Sequence, residues 1–385
     1  MLSITCFPEP KKEKNPLSEL PLFAKYEENI PFLERKIKPF QKYKKIIIIA
    51  HGGSRTSAYA FYHAFSDKKD IFFLSTNDPQ VLKEIKKKYA KEDTLLLAIS
   101  KSGTTVTLLE TLFYFKGYTT LVITQKNSPL FQIAEKEKWY IIEHPDIGGR
   151  FSAFTSCGLT PAILIGLNTK ELVAGAKEVY NGCKKEDNTS LKAAQFLYEQ
   201  EKKGYTEVFL PIYSFQLSGV LPLIIQLMHE TVCKEGKGQT FFGDEAPESQ
   251  HHTNQRFFGG RKNVVGFFVT RNKTKNKEKI QSPSSCKNII LNQGKVSTLD
   301  NISYEDAFQA EFVGTWKDAE KKGIPRVCIE LEEITEKGVG AFIAFWQMVA
   351  LYSAFLRKVN PYDQPHVESS KYISFLERMK KATQS

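Results

Sequence analysis

From residue 44 onwards, short apolar runs alternate with amphipathic stretches, and few folds accommodate this alternation. The runs IIIIA (46–50), IFFLS (71–75), TLLLAIS (94–100), TTLVIT (119–124) and WYIIE (139–143) are too short for helices. Stretches with helical spacing, such as VLKEIKKKY and TLLETLFYF, lie between them. Continuous apolar strands are typically buried on both faces, so the pattern predicts a parallel sheet built from βαβ units.

The pattern restarts after a long helical stretch at residues 152–179, which has a break near Asn168. Further strand-like runs are EVFLPIY (207–213), VVGFFV (264–269), NIIL (288–291) and VCIEL (327–331). A chain of 385 residues exceeds the size at which a single core stops growing. We therefore predict an α/β fold with two doubly wound parallel-sheet domains and a C-terminal helical arm. The predicted divisions are an N-terminal arm (1–43), a first domain that binds phosphate (44–190), a second domain (191–345) and the C-terminal arm (346–385).

Composition argues against several classes of protein. No stretch reaches the ~18 uninterrupted apolar residues of a membrane span, and the N-terminus lacks the features of a signal peptide. The six cysteines show no CxxC pair and no alternating Cys/His spacing, so neither a disulfide framework nor a zinc site is indicated. We expect a cytoplasmic protein without a membrane partner or a bound metal.

The net charge of +11 is spread along the chain. The densest lysine run, at residues 272–279, lies between two strand-like segments and has no interleaved aromatic residue, which predicts a solvated loop and no nucleic-acid partner. An excess of basic residues also suits a small anionic substrate, because a positively charged cleft raises the local concentration of that substrate.

The sharpest local signal is the hexapeptide formed by Ser100, Lys101, Ser102, Gly103, Thr104 and Thr105. It lies where a predicted strand ends and a predicted helix begins, so free backbone N–H groups, the helix dipole and several hydroxyls meet there. The hexapeptide matches neither a P-loop nor a dinucleotide fingerprint, which favours a phosphate monoester over a nucleotide. A hydroxyl-rich helix cap without a ligand would have the same residues.

Two more turns of this kind occur at predicted strand ends. The segment HGGS, with Gly53 and Ser54, follows the run IIIIA, and the segment GGRFS, with Arg150, follows WYIIE. Turns at the carboxyl edge of a parallel sheet converge on one crevice. Arg150 stands at a helix start, where the helix dipole disfavours a cation, and this position suits a partner for an anion or an enolate.

Together these motifs resemble the glucose-6-phosphate isomerase family, whose members contain two sugar-isomerase (SIS) domains. The resemblance covers roughly residues 44–375 and appears in the family's order. The motifs are SKSGTT, GGS, GGRFSAFTSCGLTP, a Gln-x-x-x-Glu pair on a helix, Gln-His before a further glutamine, and NPYDQPHVESSK near the end. The chain is similar to the compact members of the family.

The resemblance implies the catalytic residues. Glu230, four residues after Gln226 on one helical face, would transfer the proton between C2 and C1 through a cis-enediol intermediate. Arg150 would stabilise the negative oxygen. His251 and Lys371 would open the sugar ring, with His251 shared across a homodimer interface. We expect no cofactor.

Two assignments keep an alternative at this stage. Glu235, in the segment KEGKG, competes with Glu230 for the role of base, although Glu230 keeps the spacing to Gln226. His252 follows His251 directly, where the family usually has a small residue. The His pair also invites a metal interpretation, but no third ligand lies at a suitable spacing.

The function implied by the resemblance is the reversible isomerisation of glucose 6-phosphate and fructose 6-phosphate in glycolysis and gluconeogenesis. Two alternatives stay open. One is a bifunctional phosphoglucose/phosphomannose isomerase, because no motif reports the stereochemistry at C2. The other is a non-catalytic SIS module that binds a sugar phosphate and regulates a partner.

Overall fold

The computed structural model describes residues 2–65, 69–274 and 276–383. Its strands are β1 (Leu2–Phe7), β2 (Lys45–Ala50), β3 (Asp70–Leu74), β4 (Thr94–Ile99), β5 (Thr119–Thr124), β6 (Tyr140–Glu143), β7 (Glu207–Ile212), β8 (Thr240–Glu245), β9 (Val264–Arg271), β10 (Ile290–Leu291), β11 (Gly294–Lys295) and β12 (Arg326–Leu331). Its α-helices are α1 (Leu22–Lys25), α2 (Ile30–Ile37), α3 (Gly53–Phe65), α4 (Pro79–Lys88), α5 (Val106–Tyr114), α6 (Pro129–Lys136), α7 (Ser156–Ile165), α8 (Thr169–Gly182), α9 (Thr189–Lys202), α10 (Phe215–Ser218), α11 (Leu221–Val232), α12 (Thr253–Gly259), α13 (Tyr304–Lys321), α14 (Glu336–Arg357) and α15 (Glu368–Ala382).

The first sheet is parallel, with the strand order β3-β2-β4-β5-β6. Alternate residues of its central strands belong to different cores: Ile46 and Ile48 pack in one hydrophobic cluster, and Ile47 and Ile49 pack in another. Helices therefore cover both faces, and the predicted α/β fold with parallel sheets is confirmed. The strand order reverses between β2 and β4, so the crevice outside their carboxyl ends is a topological switch point.

The second sheet has the order β1-β12-β9-β7-β8. Its strand order also reverses, between β7 and β9, so it has a topological switch point there. Its strands are parallel except β1, which pairs antiparallel with β12 from Leu2 opposite Leu331 to Phe7 opposite Arg326. Residues 2–7, which the sequence predicted as part of an N-terminal arm, thus form an edge strand of this sheet. An edge strand needs only one partner, and its sequence LSITCF has the alternating burial of a strand that packs on one face.

The prediction of a core strand at NIIL (288–291) is wrong. Only Ile290 and Leu291 are in a strand, and they pair with Gly294 and Lys295 in a small hairpin outside both main sheets. Ile290 is 71% exposed. In the second sheet β9 pairs directly with β12, so the hairpin has no place between them. A short run with three consecutive apolar residues does not show whether a neighbouring strand is available to pair with it.

Helix α14 belongs to the hydrophobic core, and the predicted boundary between residues 345 and 346 falls inside it. It packs against α8, α9 and α11 and is buried along most of its length. By length and composition α14 could cross a membrane, but 83% of its most apolar window is buried inside the protein, as in a core helix. The apolar residues of α14 are therefore explained by packing alone.

Candidate active site

The turn at residues 100–105 connects β4 to α5 and is held by its own hydroxyls. The oxygens of Ser100 and Thr105 are 3.2 Å apart, those of Ser102 and Thr104 are 2.8 Å apart, and the Gly103 N–H donates to Ser100 Oγ at 3.2 Å. Gly103 has φ +66°, and a Cβ there would lie 2.8 Å from the backbone nitrogen of Leu130. The close packing and the positive φ together require glycine at this position.

This turn leaves anion-binding groups uncovered. Thr105 is the N-cap of α5, yet its side chain accepts no hydrogen bond from the first turn of the helix. The hydroxyl groups of Ser102 and Thr104 belong to exposed residues. The ammonium group of Lys101 lies 2.8 Å from Asp146 Oδ1. A helix N-terminus beside exposed hydroxyls is a suitable site for a phosphate group.

The two glycine-rich turns predicted to converge are in direct contact. Gly53, the first residue of α3, packs so closely on the 149–150 backbone that a Cβ would lie 2.1 Å from the Gly149 oxygen. Ser54 follows it and is buried. The turn after β2 and the turn after β6 therefore meet through backbone atoms, and this contact sets the position of Arg150.

Arg150 is a buried cation, with 3% of its side chain exposed. Its Nε donates to Thr231 Oγ1 at 3.0 Å and its Nη1 to Glu230 Oε2 at 3.3 Å. Burial lowers the pKa of Arg150, and the neighbouring Glu230 carboxylate opposes this effect. An arginine keeps its proton in such surroundings, so the site holds a permanent positive charge.

The carboxylate of Glu230 is held at both oxygens. Oε1 accepts from Gln226 Nε2 at 2.9 Å, and Oε2 faces Arg150. Gln226 in turn accepts from Thr56 Oγ1 of the first domain at 2.9 Å, which fixes the orientation of its amide. The side chain of Glu230 is 31% exposed, so a ligand in the crevice can reach it. Gln226 and Glu230, the pair predicted on one turn of α11, thus belong to a hydrogen-bond network that joins both domains through Thr56.

Glu235, the competing carboxylate, lies outside this network. It is an exposed residue with φ +54°, and its Oε2 accepts from Lys237 Nζ at 3.1 Å. The apolar helix α11 ends before it, so its side chain does not share the face of Gln226. The position of Glu235 adds to the reasons for preferring Glu230, whose role as base stays a prediction.

The two histidines lie on the second domain. His251 ends a short 3₁₀ helix at residues 248–251 and is exposed. His252 Nδ1 hydrogen-bonds Thr253 Oγ1 at 2.6 Å, and its Nε2 is 3.9 Å from Asp244. In residues 2–65, 69–274 and 276–383, no hydrogen bond or ion pair joins either histidine to Glu230 or Arg150. The single chain does not bring them into the network.

Lys371 lies on α15, and 64% of its side chain is exposed. Its Nζ donates to Glu368 Oε1 at 2.8 Å, one turn earlier on the same helix. Helix α15 contacts the first domain through Arg378, whose guanidinium donates two hydrogen bonds to Glu110 on α5. The lysine-bearing helix is thus attached to the helix that begins at the 100–105 turn, and the proposed role of Lys371 stays a prediction.

Sequence reasoning missed the residues that connect the NPYDQP segment to the site. Gln364 Oε1 accepts from Arg150 Nη1 at 2.7 Å, and Lys234 Nζ donates to Asp363 Oδ1 at 2.8 Å. Lys234 follows the Gln226-Glu230 pair by a further four residues, a spacing that could have indicated it. The partners are more than a hundred residues apart, so spacing alone could not pair them.

Comparison with known proteins gives consistent matches along the whole chain. The sequence profile described as phosphoglucose isomerase matches residues 23–384. The chain is 29% identical to the glucose-6-phosphate isomerase of Methanocaldococcus jannaschii over 363 residues, which cover 90% of this chain and 86% of that protein.

Solved structures show the same fold. A hypothetical protein from Thermus thermophilus superposes with a TM-score of 0.84 at 23% identity, covering 92% of this chain and 88% of that one. A glucose-6-phosphate isomerase from Chlamydia trachomatis superposes with a TM-score of 0.74 at 20% identity, covering 91% and 74%. The two-sheet arrangement described above is therefore shared with both structures.

Proposed function

The chain belongs to the phosphoglucose isomerase family, and from this premise we propose that it interconverts D-glucose 6-phosphate and D-fructose 6-phosphate. The reaction moves one proton between C1 and C2 and changes no net oxidation state. It needs a general base, a group that stabilises a negative oxygen, and an acid that opens the ring. The observation that carries the proposal is the Glu230 carboxylate, oriented by Gln226 and Arg150 beside the first sheet's switch point.

In the proposed reaction Glu230 takes the proton from C2 and returns it to C1 through a cis-enediol intermediate. Both of its oxygens have a hydrogen-bond partner, so its orientation is set before substrate arrives. A positioned acid or base of this kind typically contributes ~10² to 10⁴ in rate. The partial exposure of Glu230 leaves room for the sugar carbons to approach it.

Arg150 stabilises the oxygen that becomes negative as the enediol forms. It is buried next to the base, and its charge acts in a region from which water is largely excluded. Its position is determined by Thr231 and by the 360–364 segment, so little reorganisation is needed during reaction.

The phosphate group binds the 100–105 turn and takes no part in the chemistry. Ser100, Ser102, Thr104, Thr105 and the backbone of Lys101 supply the contacts, with Gly53 and Ser54 lining the adjacent turn. Binding energy from this remote group orients C1 and C2 over Glu230.

His251 and Lys371 open the ring, and we propose a homodimer in which His251 reaches the site of the other subunit. Support comes from the exposure of His251 and from the surface of α15. Five apolar residues of α15 are exposed: Tyr372, Ile373, Phe375, Leu376 and Met379. An apolar helix surface of this kind is typical of a protein interface. We assign the enzyme to the cytoplasm and to glycolysis and gluconeogenesis.

A coupled assay of the purified protein tests the function. Fructose 6-phosphate is supplied with a chelator present, and glucose 6-phosphate and mannose 6-phosphate are measured in parallel. Glucose 6-phosphate alone is the expected product. Both products would favour the bifunctional isomerase, and saturable sugar-phosphate binding with neither product would favour the non-catalytic module.

A further inference from the structure

Lys234 is a buried lysine that lies just beyond the helix carrying Glu230. Only 8% of the residue is exposed. Its ammonium group donates to the backbone oxygen of Asn360 and, at 2.8 Å, to Asp363 Oδ1. Lysines are rarely buried unless they are paired, because removing an ammonium from water is costly. Within the fold, the hydrogen bonds of the Lys234 ammonium group therefore go to one segment of the chain, residues 360–364.

That segment is a closed turn. Asn360 Nδ2 donates to Asp363 Oδ2 at 3.1 Å, and the Tyr362 N–H donates to Asn360 Oδ1 at 3.0 Å. The hydrogen bond from Lys234 lowers the pKa of Asp363, so its carboxylate is charged at neutral pH. Lys234 thus binds a turn that is already closed by its own side chains, and it binds the turn at both ends.

The same turn supplies three oxygens to Arg150. The guanidinium donates to the backbone oxygens of Pro361 at 2.5 Å and Asp363 at 3.2 Å, and to Gln364 Oε1 at 2.7 Å. The turn therefore lies between two buried cations. Because its conformation determines where these oxygens lie, a contact that fixes the turn also fixes the guanidinium that faces Glu230.

The turn also precedes the helix that carries Lys371. A 3₁₀ helix at residues 365–367 leads from it directly into α15. No described residue of α15 is buried, so packing contributes little to the position of this helix within one chain. Its position depends on the turn at one end and on the Arg378–Glu110 ion pair at the other.

We propose that Lys234 is a positioning residue of the site. Through Asn360 and Asp363 it fixes the 360–364 turn, which aligns Arg150 with Glu230 and holds the start of α15 in place. This inference rests on the proposed isomerase function. It assigns Lys234 a contact with the turn and none with substrate.

The first test is kinetic, with the variants Lys234→Met, Asp363→Asn and the double variant. We expect kcat for fructose 6-phosphate to fall about 10- to 100-fold in each, because small misplacements of catalytic groups have effects of this size. KM should stay within about twofold of wild type, since the phosphate turn lies on another domain. The double variant should lose no more than the worse single variant. Lys237→Met, an exposed lysine three residues on, is the matched control and should keep wild-type kcat.

The second test is hydrogen exchange of the full-length protein, which needs no activity. Lys234→Met should speed exchange at residues 360–371 and leave the 100–105 turn unchanged. Asp363→Asn, at a half-exposed position, provides the same readout if the lysine variant folds poorly. Wild-type kcat in both single variants, or exchange that rises evenly over the protein, would overturn the proposal. If the wild-type protein fails to isomerise fructose 6-phosphate, the proposed function is wrong. If Lys234→Met nevertheless shows the expected exchange pattern, the result still supports the conclusion that Lys234 fixes the 360–364 turn.

Discussion

Arg150 Nη1 lies 3.3 Å from Glu230 Oε2, although eighty residues separate the two in the chain. Arg150 comes from the turn after the last strand of the first sheet, and Glu230 from a helix of the second domain. Their pairing places a permanent positive charge beside a partly exposed carboxylate. The proposed base and the proposed stabiliser of negative charge are thereby held next to each other, between the two domains.

Replacing the carboxylate tests the assignment of the base. Glu230→Gln keeps the size of the side chain but has one acceptor oxygen for the two donors Gln226 and Arg150 and cannot act as a base. We expect kcat to fall by ~10² to 10⁴ with substrate binding retained. The measurement is the coupled isomerase assay together with a calorimetric titration of fructose 6-phosphate. Glu235→Gln is the control and should keep wild-type rates. The reverse pattern would make Glu235 the base.

Lys371→Ala tests ring opening. We expect turnover of the closed-ring sugar to fall by ~10² or more, and turnover of an open-chain analogue to change little, because only the closed form needs the acid. Steady-state kinetics on both substrates measures the difference. Lys380→Ala, on the same exposed helix, should leave both rates unchanged. Equal losses on the two substrates in Lys371→Ala would remove this lysine from ring opening.

The contact between the two glycine turns predicts a contrast between neighbouring positions. Gly53→Ala forces a Cβ to within 2.1 Å of the Gly149 oxygen, whereas a Cβ at Gly149 meets no atom within 4 Å. We expect Gly53→Ala to lower the free energy of unfolding by ~1 to 3 kcal/mol and to reduce kcat, since Arg150 is displaced. Urea unfolding and the isomerase assay measure both effects. Gly149→Ala should be close to wild type, and equal effects of the two substitutions would contradict the packing described here.

His144 should make stability depend on pH. Burial lowers its pKa to about 4, and its Nδ1 lies 2.7 Å from the Pro145 oxygen. The ordinary pKa of histidine is ~6.5, so between these values the unfolded chain binds a proton that the folded protein excludes. The His144 contribution is therefore absent above pH ~6.5 and destabilises the fold progressively as the pH falls towards 4.

We expect His144 to account for about 2 kcal/mol of stability lost between pH 7 and pH 5. Urea unfolding at both pH values, on wild type and His144→Asn, measures this difference. The variant should be less pH-dependent than wild type over this interval. His366→Asn, at an exposed position, should retain the wild-type dependence. An unchanged pH dependence in His144→Asn would show that the ring is not excluded from protonation.

The apolar surface of α15 predicts a subunit contact. Tyr372, Leu376 and Met379 recur at helical spacing and are all exposed, on the side of the helix away from Lys381. Met379→Asp should weaken the proposed dimer at least about tenfold and lower activity at low protein concentration, because a charge is costly in an apolar interface. Sedimentation equilibrium and dilution assays measure both effects. Lys381→Asp should remain dimeric, and a fully dimeric Met379→Asp would exclude this face from the interface.

Much of the first sheet could be predicted from the sequence. The runs at 46–50, 71–75, 94–100, 119–124 and 139–143 correspond to β2 through β6 within one residue at each end. The central strands β2, β4 and β5 are buried on both faces, so burial favours an apolar residue at most of their positions. The second sheet was harder to predict, because its edge strands β1 and β8 contain polar residues. The separate β10–β11 hairpin, by contrast, contains exposed apolar residues that resemble a buried strand.

Among the candidate site residues, the sequence indicated those that stand on local turns or share a helical turn. Gln226 and Glu230 share a helical turn, and the residues at 100–105 stand on a local turn. Spacing along the chain could not pair Lys234 with Asp363 or Gln226 with Thr56, because the two residues of each pair lie on distant elements.

The strands of the first sheet, the Gln226–Glu230 pair and the turn at residues 100–105 depend mainly on neighbouring residues, and the sequence alone was sufficient to predict them. The tertiary structure decided which charges meet: Arg150 with Glu230 and Lys234 with Asp363. Such pairs form only after the two sheets and α14 have placed distant segments a few ångströms apart. The electrostatic energy of such a pair depends on the distance between the charges and on their burial. Neither can be deduced from the number of residues between them in the sequence.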